Sequence, residues 1–474
     1  MGLASSLVSL GDGTLPASFE GLKSQVDIEW VASSLAKSGV ATVRKRKLPA
    51  EQVVWLAVGM ALYRDRPISE VVNRLDLVLP DENGQKQGVS NRAIVAARNR
   101  VGAEPIENLF RTTAQQWALE SAKRHLWQGL MVLGADGTSM RVPDSAENRR
   151  TFGLPGSRKN TAGYPQIRAV GLMVLRSHLL LDFAFAGFKI GEITLATPLI
   201  KRTPDYSLTI LDRFYHSYLL WHQIRTQGEE RHWLVRGRKN LKYRVIERLG
   251  RGDELVEIEF PRALRKKHPE LPATFLARVV RYRRKGFRAR ALWTSLLDPE
   301  KYPAVEIAEL YHERWELELG YDEIKTEMLE RLEAIRSVAP ERVRQEVWGL
   351  AVAYNLVRQE MEAAALEWGV APRRISFAGS LRAVRDLFMW AAVASPGSLP
   401  KMLKGLRLEM RHFILPPRRS ERRYRRHVKI KMTHYPRNYE HPAARNSMVE
   451  KTFNGSAPRC SEVFASRKLS QILK

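Results

Sequence analysis

The order of apolar segments between Leu126 and Gly237 constrains the fold more than any other feature of the sequence. Seven segments of this region have strand-like or helical spacing and are bounded by turn-forming residues. They are, in order, WQGLMVLGADGTSM, QIRAVGLMVL, HLLLDFAFAG, GEITLATPLIKR, DYSLTILDRF, HSYLLWHQIRT and HWLVRG. The order strand, strand, strand, helix, strand, helix, strand predicts a mixed β-sheet with helices packed on its faces.

The regions on either side have different patterns. From Phe19 to about Lys123 the apolar spacing is helical and is interrupted by glycine and proline, which predicts an all-helical module. From Arg238 to Leu297, short strand-like pieces rich in arginine and lysine predict a β insertion. After Pro303 two long segments have helical spacing again.

The net charge indicates the class of partner. Lys+Arg 78 against Asp+Glu 51 gives +27, while 44% hydrophobic residues are ordinary for a packed protein and exclude wholesale disorder. A charge so far from zero attracts polyanions, with nucleic acid ahead of an anionic membrane. The helical N-terminal module fits a DNA-reading domain and equally a plain helical domain with solvated faces.

Cysteine usage and hydropathy indicate the compartment. The single cysteine, Cys460, excludes an intramolecular disulfide framework and a Cys-rich zinc site, and it fits a reducing compartment. The longest early apolar run, Val53 to Tyr63, is far shorter than the ~20 residues that span a bilayer. We therefore expect a cytoplasmic protein without a membrane-spanning segment.

Two aspartates, Asp136 and Asp212, are each predicted to lie at the C-terminal end of an apolar strand. Ligands of open α/β sheets collect at such strand ends. A carboxylate is costly in a protein interior unless it is paired or binds a metal, so the two aspartates favour a shared cation. Each aspartate alone is also typical of a turn or a helix cap, and this alternative stays open on these residues.

The helix predicted after Pro303 adds a third carboxylate. At about 100° per residue, Tyr311, Arg314, Glu318 and Lys325 fall within an arc of about 60°. Glu318 can serve as a further ligand for hard cations, and Arg314 and Lys325 can hold phosphates. The helix carries charges on its other faces too, so chance alignment is the alternative.

This combination fits phosphodiester cleavage, in which paired divalent ions activate the attacking hydroxyl and stabilise the leaving oxygen. The histidines are scattered without a His-x-x-x-His pair, which argues against zinc hydrolysis, and the phosphate-loop and G-x-S-x-G motifs are missing from the sequence. Five other carboxylates are interpreted as turn formers, caps or solvated charges. They are Asp144, Asp182, Glu192, Glu316 and Asp322.

The spacing of that helix face, Y-x2-R-x3-E-x6-K within YHERWELE, resembles the signature of the insertion-sequence-4 family of DDE transposases. The resemblance extends to the DGT that begins at Asp136, the DR at Asp212 and the TSLLD at Thr294, and it covers roughly residues 20 to 400. It implies an α/β fold with a ribonuclease H-like mixed sheet flanked by helices, a β-strand insertion and an all-helical N-terminal DNA-binding domain. The regions are then 1–123 (helical DNA-binding domain), 124–237 (catalytic core, first part), 238–298 (β insertion), 299–400 (catalytic core, second part) and 401–474 (basic arm or dimerisation tail).

The resemblance also implies the catalytic residues and the cofactor. Asp136, Asp212 and Glu318 would form the catalytic and metal-binding triad, with two Mg²⁺ ions that Mn²⁺ can replace. The predicted activity is cut-and-paste transposition, in which the ends of an insertion sequence are cleaved, through a hairpin in this group, and the 3′ ends are joined to target DNA.

Other residues are assigned to DNA contact in the same way. Tyr311 and Arg314 would contact phosphates at the transposon end, Lys325 would contact the 5′-terminal phosphate, and Arg213 is placed with them. Related enzymes use a tryptophan of the insertion to hold a flipped base, but Trp293 is interpreted as a buried strand residue.

The implied partners are double-stranded DNA, as terminal inverted repeats and target, and a second copy of the chain, in a bacterial cytoplasm at the nucleoid. Two alternatives keep part of this account. One is a metal-dependent endonuclease of the same fold without strand transfer, and the other is a non-catalytic DNA-binding protein. The tail beyond about Pro436 matches no part of the family, and an altered reading frame there would leave the triad intact.

Overall fold

The computed structural model of the protein describes residues 28–40, 47–79, 85, 88–156, 163–238, 241–283, 289–330, 334–391 and 398–417. These residues belong to one compact unit that extends to Pro417. Cys460 and the part of the predicted basic arm after residue 417 lie outside the described residues. Among the helices in these ranges, none combines the length and the hydropathy that a bilayer span requires.

The N-terminal region is helical, as predicted. Its helices are α1 (Ile28–Lys37), α2 (Ala50–Leu62), α3 (Ile68–Arg74), α4 (Asn91–Val101) and α5 (Glu104–Arg124). Helix α2 is apolar on nearly all faces, and it is therefore buried all round. It packs against the long helix α12 (Pro340–Glu367), where a Cβ at Gly349 would lie only 2.3 Å from the Ala57 carbonyl oxygen. The close approach of α2 and α12 thus requires glycine at this position.

The predicted order of strands and helices is confirmed in the centre of the chain. The elements are β1 (Met131–Arg141), α6 (Ala146–Phe152), β2 (Gln166–Val174), β3 (Leu180–Gly187), α7 (Glu192–Lys201), β4 (Ser207–Leu211), α8 (Tyr218–Thr226) and β5 (Arg231–Arg236). Strands β1, β2 and β3 form an antiparallel meander, and β4 and β5 continue parallel to β1. The resulting order β3-β2-β1-β4-β5 is the ribonuclease H-like sheet expected from the sequence.

The predicted β insertion is also confirmed, and it extends the same sheet. It contains β6 (Arg244–Gly250), β7 (Asp253–Glu259), α9 (Arg262–Lys267), β8 (Thr274–Tyr282) and β9 (Arg290–Thr294). Strand β9 pairs antiparallel with β5, so the nine strands form one continuous sheet. Trp293 on β9 is 2% exposed, in agreement with its interpretation as a buried strand residue.

A buried arginine connects the insertion to the next segment. Arg278 of β8 is fully buried and donates to both carboxylate oxygens of Asp253 at 2.8 and 2.6 Å. Its guanidinium also donates to the Tyr302 carbonyl at 2.7 Å. The insertion thereby holds the chain immediately before the helix that begins after Pro303.

That helix is less regular than the sequence predicts. It consists of α10 (Ala304–Leu310), a 3₁₀ turn (Tyr311–Arg314), α11 (Trp315–Glu323) and a π-helical turn (Ile324–Met328). We call residues 304–328 the signature segment. Because 3₁₀ and π turns wind differently from an α-helix, the face calculated at a constant 100° per residue does not continue unchanged to Lys325. The remaining helices are α12, α13 (Phe377–Ala391) and α14 (Leu399–Met410).

Candidate active site

Asp136 and Asp212 lie side by side at one edge of the parallel strands. Asp212 directly follows β4, as predicted. The prediction that a strand ends at Asp136 is wrong, because β1 continues to Arg141 by pairing with β2. The last pair between β1 and β4 is Ala135 with Leu211, and each aspartate is the next residue along the chain after one member of this pair. Asp136 therefore lies where its parallel neighbour ends, although its own strand does not.

Arg314 joins the signature segment to this edge. Its Nη2 donates to Glu318 Oε1 at 2.7 Å, and its Nη1 lies 3.6 Å from Asp136 Oδ2. Asp212 is also close enough to act electrostatically on both Arg314 and Asp136. The structure thus brings together the three predicted acidic side chains, which are remote in sequence, around one guanidinium.

Burial changes the acidity of Asp136. It raises the pKa of this carboxyl to about 6, against the lowering effect of the Gly137 N–H, which donates to Oδ1 at 2.8 Å. The negative charges of Glu192 and Asp212 raise the pKa further, and Arg314 lowers it. Burial and the two neighbouring carboxylates therefore disfavour the charged form of Asp136, and a bound cation would favour it.

Glu192 is the acidic residue that the sequence interpretation missed. It was interpreted as a turn former, cap or solvated charge, but it is the first residue of α7 and its carboxylate lies against Gly137. A Cβ at Gly137 would meet Glu192 Oε2 at 2.5 Å. The signal available in the sequence was the Gly191-Glu192 pair that opens the helix between the third and fourth strands.

The other four minor carboxylates divide into two kinds. Asp144 and Asp322 are exposed, as interpreted. Asp182 and Glu316 are not solvated charges, because both are buried in ion pairs. Asp182 pairs with arginines of α5 and of the loop after α7, and Glu316 pairs with a histidine and an arginine.

The three further residues assigned to DNA contact are placed differently. Tyr311 is 5% exposed, and burial raises its pKa to about 12, so its hydroxyl keeps its proton near neutral pH. Lys325 is half-buried on the π-helical turn and lines a small cavity with Thr138, two residues from Asp136. Arg213 is exposed directly after Asp212.

Tyr321 fixes α11 on the sheet, and it was also missed by the sequence interpretation. Its hydroxyl donates to the Asp136 carbonyl at 2.6 Å and accepts from the Gly171 N–H at 2.8 Å. A Cβ at Gly171 would lie 2.8 Å from this hydroxyl. The contact therefore sets the distance between Glu318, one turn earlier on α11, and Asp136.

A buried polar network holds the other side of α11. His178 Nε2 lies 2.9 Å from Glu316 Oε2, and its Nδ1 lies 2.7 Å from an Arg358 nitrogen. Arg358 also donates to Glu323, which accepts from the Tyr354 hydroxyl at 2.9 Å. Although burial opposes it, the charge of Arg358 and the contacts with Arg358 and His178 hold the pKa of Glu323 below its usual range. The network attaches the helix that carries Glu318 to α12 and to the turn between β2 and β3.

The donor set fits a hard divalent cation in its chemistry. Carboxylate oxygens are the ligands that Mg²⁺ prefers, and Asp136, Asp212 and Glu318 converge with Glu192 beside them. Within the described ranges, no three His, Cys, Asp or Glu side chains are arranged so that they could hold a metal ion as they stand. Asp136 and Glu318 are instead paired with the Arg314 guanidinium.

Comparison with known proteins gives concordant results over most of the chain. A family model described as insertion element 4 transposase N-terminal matches residues 16–111, and one described as transposase DDE domain matches residues 127–356. The chain is 40% identical over 437 residues to the transposase InsG for insertion sequence element IS4 of Escherichia coli (strain K12), covering 92% of this chain and 97% of that protein. It is 36% identical over 250 residues to the putative transposase InsZ of the same organism, covering 52% of this chain and 82% of that protein.

A solved structure gives a much weaker likeness. The piggyBac transposase synaptic complex with hairpin DNA, determined by cryo-EM, aligns over 86% of this chain and 87% of that chain. The TM-score is 0.38 and the sequence identity is 10%, which is too distant to bear on this protein's fold or activity.

Proposed function

The chain belongs to the insertion element 4 family of DDE transposases, and from this premise we propose that it cleaves the ends of an insertion sequence and joins the freed 3′ ends to target DNA in a cut-and-paste reaction. The observation that carries the proposal is the convergence of Asp136, Asp212 and Glu318 around Arg314. Nearly two hundred residues of chain separate the first carboxylate from the last, so only a folded active site brings them together.

The acidic residues provide the metal-binding part of the site. Asp136, Asp212 and Glu318 would hold two Mg²⁺ ions, or Mn²⁺ in their place, and such ions activate the attacking hydroxyl and stabilise the leaving oxygen. Tyr321 and the network behind α11 keep Asp136 and Glu318 at a fixed separation. This preorganisation limits the rearrangement that the reaction requires.

The basic and phenolic residues position the DNA. Arg314 binds a phosphate next to the carboxylates, because its planar guanidinium can donate two parallel hydrogen bonds to phosphate oxygens. The Tyr311 hydroxyl, whose pKa burial raises to about 12, stays protonated at neutral pH and donates a hydrogen bond to a phosphate oxygen. Lys325 and Arg213 bind further phosphates on either side, with Lys325 at the 5′ end.

The substrate is double-stranded DNA, supplied as terminal inverted repeats and as target, and the net charge of +27 favours both. Residues 1–123 bind the ends, residues 124–237 and 299–400 form the catalytic core around the insertion 238–298, and residues 401–474 serve as a basic arm or as a dimerisation tail. The enzyme acts as a homodimer on nucleoid DNA in the cytoplasm.

Nicking and joining assays test this proposal. The full chain is incubated with Mg²⁺, a DNA that carries the inverted repeats flanking its coding region, and a second duplex. We expect nicking and 3′-end joining in the wild type, loss of both in Asp212→Asn and Glu318→Gln, and unchanged DNA binding in all of them. Asp322→Asn is the matched control, because Asp322 is an exposed acid of α11 and should keep full activity.

The alternatives give different results in the same assays. A wild type that nicks the repeats but never joins a 3′ end to the second duplex would be an endonuclease. A wild type that binds the DNA and neither nicks nor joins would be a non-catalytic DNA-binding protein.

A further inference from the structure

Glu192 lies between the two strand ends that carry the aspartates. On one side its carboxylate contacts Gly137, next to Asp136, where a Cβ would meet its Cδ at 2.3 Å. On the other side it acts on the hydroxyl of Tyr215, which belongs to the turn that follows Asp212. The side chain therefore reaches both halves of the site from a helix that carries no other predicted site residue.

No basic side chain pairs with Glu192 in the part of the chain that the structure describes, and the neutral Tyr215 hydroxyl is the group next to its carboxylate. None of the ion pairs in these ranges involves Glu192, although the carboxylate of Asp136 is close enough to feel its charge. Two carboxylates that approach each other in a partly buried site repel, and the arrangement is favourable only when a cation or a proton is held between them. Glu192 thus adds negative charge where the other acidic residues already converge.

A buried hydroxyl gives a second, independent observation. Tyr215 is fully buried, and its hydroxyl has no hydrogen-bond partner of normal geometry among the described residues. Glu192 is the charged group that acts on it most strongly. A buried hydroxyl that faces a carboxylate without a well-formed hydrogen bond is short of a partner, which a species bound at this site would supply.

We propose that Glu192 is a fourth acidic residue of the active site, and that it holds a divalent cation together with Asp136. The proposal rests on the proposed function, because it assigns a further ligand to the same site. It also explains the glycine after Asp136, since any larger residue there would displace the Glu192 carboxylate. The competing role is purely structural, with Glu192 as a helix-start residue that never contacts the ion.

Mn²⁺ binding to the full-length protein tests the proposal without relying on activity. Mn²⁺ is added stepwise to the protein without DNA, and the free Mn²⁺ is measured by electron paramagnetic resonance. Glu192→Gln keeps the shape and removes the charge, and we expect its Mn²⁺ dissociation constant to rise at least about tenfold. Glu147→Gln is the matched control, because Glu147 also lies in the first turn of a helix but is exposed.

A second variant displaces the Glu192 carboxylate without removing its charge. Gly137→Ala puts a methyl group where the Glu192 carboxylate lies, so Mn²⁺ binding should weaken in this variant too. Gly163→Ala is its control, because a Cβ there meets nothing within 4 Å. In the absence of metal, Glu192→Gln should unfold at the same temperature as the wild type or higher, because repulsion with Asp136 is removed.

Each contrary result has a defined meaning. Wild-type Mn²⁺ affinity in Glu192→Gln, or a wild type that binds no Mn²⁺, would overturn the proposal. A lower unfolding temperature of metal-free Glu192→Gln would reveal a structural partner and would also overturn it. Wild-type nicking and joining measured in parallel keep the two hypotheses apart, because an active enzyme whose Mn²⁺ affinity ignores Glu192 leaves the proposed function standing.

Discussion

Nη1 of Arg314 lies 3.6 Å from Oδ2 of Asp136, which connects the signature segment to the central strand β1. The same guanidinium also pairs with Glu318, the last acid of the proposed triad along the chain. Arg314 therefore serves as an internal counter-ion for the carboxylates that are proposed to bind metal. The proposed phosphate binding by Arg314 and the proposed cation binding by the acids would both compete with this pairing and would be coupled through it.

Arg314→Gln should destabilise the protein most when divalent ions are absent. Asp136 and Glu318 would then lack the Arg314 guanidinium, which should lower the free energy of unfolding by about 1–2 kcal/mol. This is less than for a fully buried pair because Glu318 is partly exposed. Saturating Mg²⁺ should recover most of this loss, as measured by thermal unfolding. Arg344→Gln, which removes an exposed pair with Glu341, should change little in either condition. Equal losses with and without Mg²⁺ would contradict the counter-ion role.

Asp136 should give the stability of the metal-free protein a distinct pH dependence. Its pKa is raised from 3.8 to about 6 in the folded state, so the folded protein binds more protons than the unfolded chain between these values. The free energy of unfolding must then fall as the pH rises through this window, by up to about 3 kcal/mol. Urea unfolding at a series of pH values should show this fall in the wild type and in Asp322→Asn but not in Asp136→Asn. Parallel pH curves for all three proteins would disprove the assignment.

Arg213→Gln should weaken DNA binding through charge alone. Arg213 is exposed beside Asp212, so its loss should lower the log–log salt slope of DNA affinity by about 0.9 without changing stability. Arg225→Gln is the control, because Arg225 is also exposed. It pairs with Glu230, which comes just before β5, so it lies at the opposite edge of the parallel strands from Asp212. Fluorescence anisotropy at several salt concentrations measures the slopes. The assignment fails if the two variants have the same slope.

Arg358→Met should be strongly destabilising, because it leaves Glu323 buried without its main partner. Loss of one partner of a buried pair typically costs about 3–5 kcal/mol. The double variant Arg358→Met, Glu323→Gln should recover part of this loss, since the uncompensated charge is removed. Urea unfolding measures both. A loss below about 1 kcal/mol in the single variant, within the range of exposed pairs, would show that the network does not hold α11.

Much of the architecture followed from local patterns in the sequence. The succession of strand-like and helical segments predicted the mixed sheet, and short basic strands predicted the insertion. Asp212 was placed correctly because an apolar run ends there and the strand ends with it. Trp293 was interpreted correctly because an aromatic residue within an apolar strand is normally buried.

The misplaced residues are those whose environment depends on pairing between distant segments. Asp136 was expected at a strand end, but hydrogen bonds to β2 continue the strand past it. Asp182 and Glu316 looked like surface charges, and their arginine and histidine partners come from other elements. Only the folded chain supplies such partners.

By itself, the sequence determined the type and order of the elements and the family signature, because periodicity and spacing are properties of neighbours along the chain. The tertiary structure decided which charges meet. The joining of the insertion to β5, the pairing of Arg314 with Asp136 and the approach of Glu192 to Gly137 all follow from strand register and helix packing. Electrostatic interactions act through space between residues far apart in sequence, and so no local pattern encodes them.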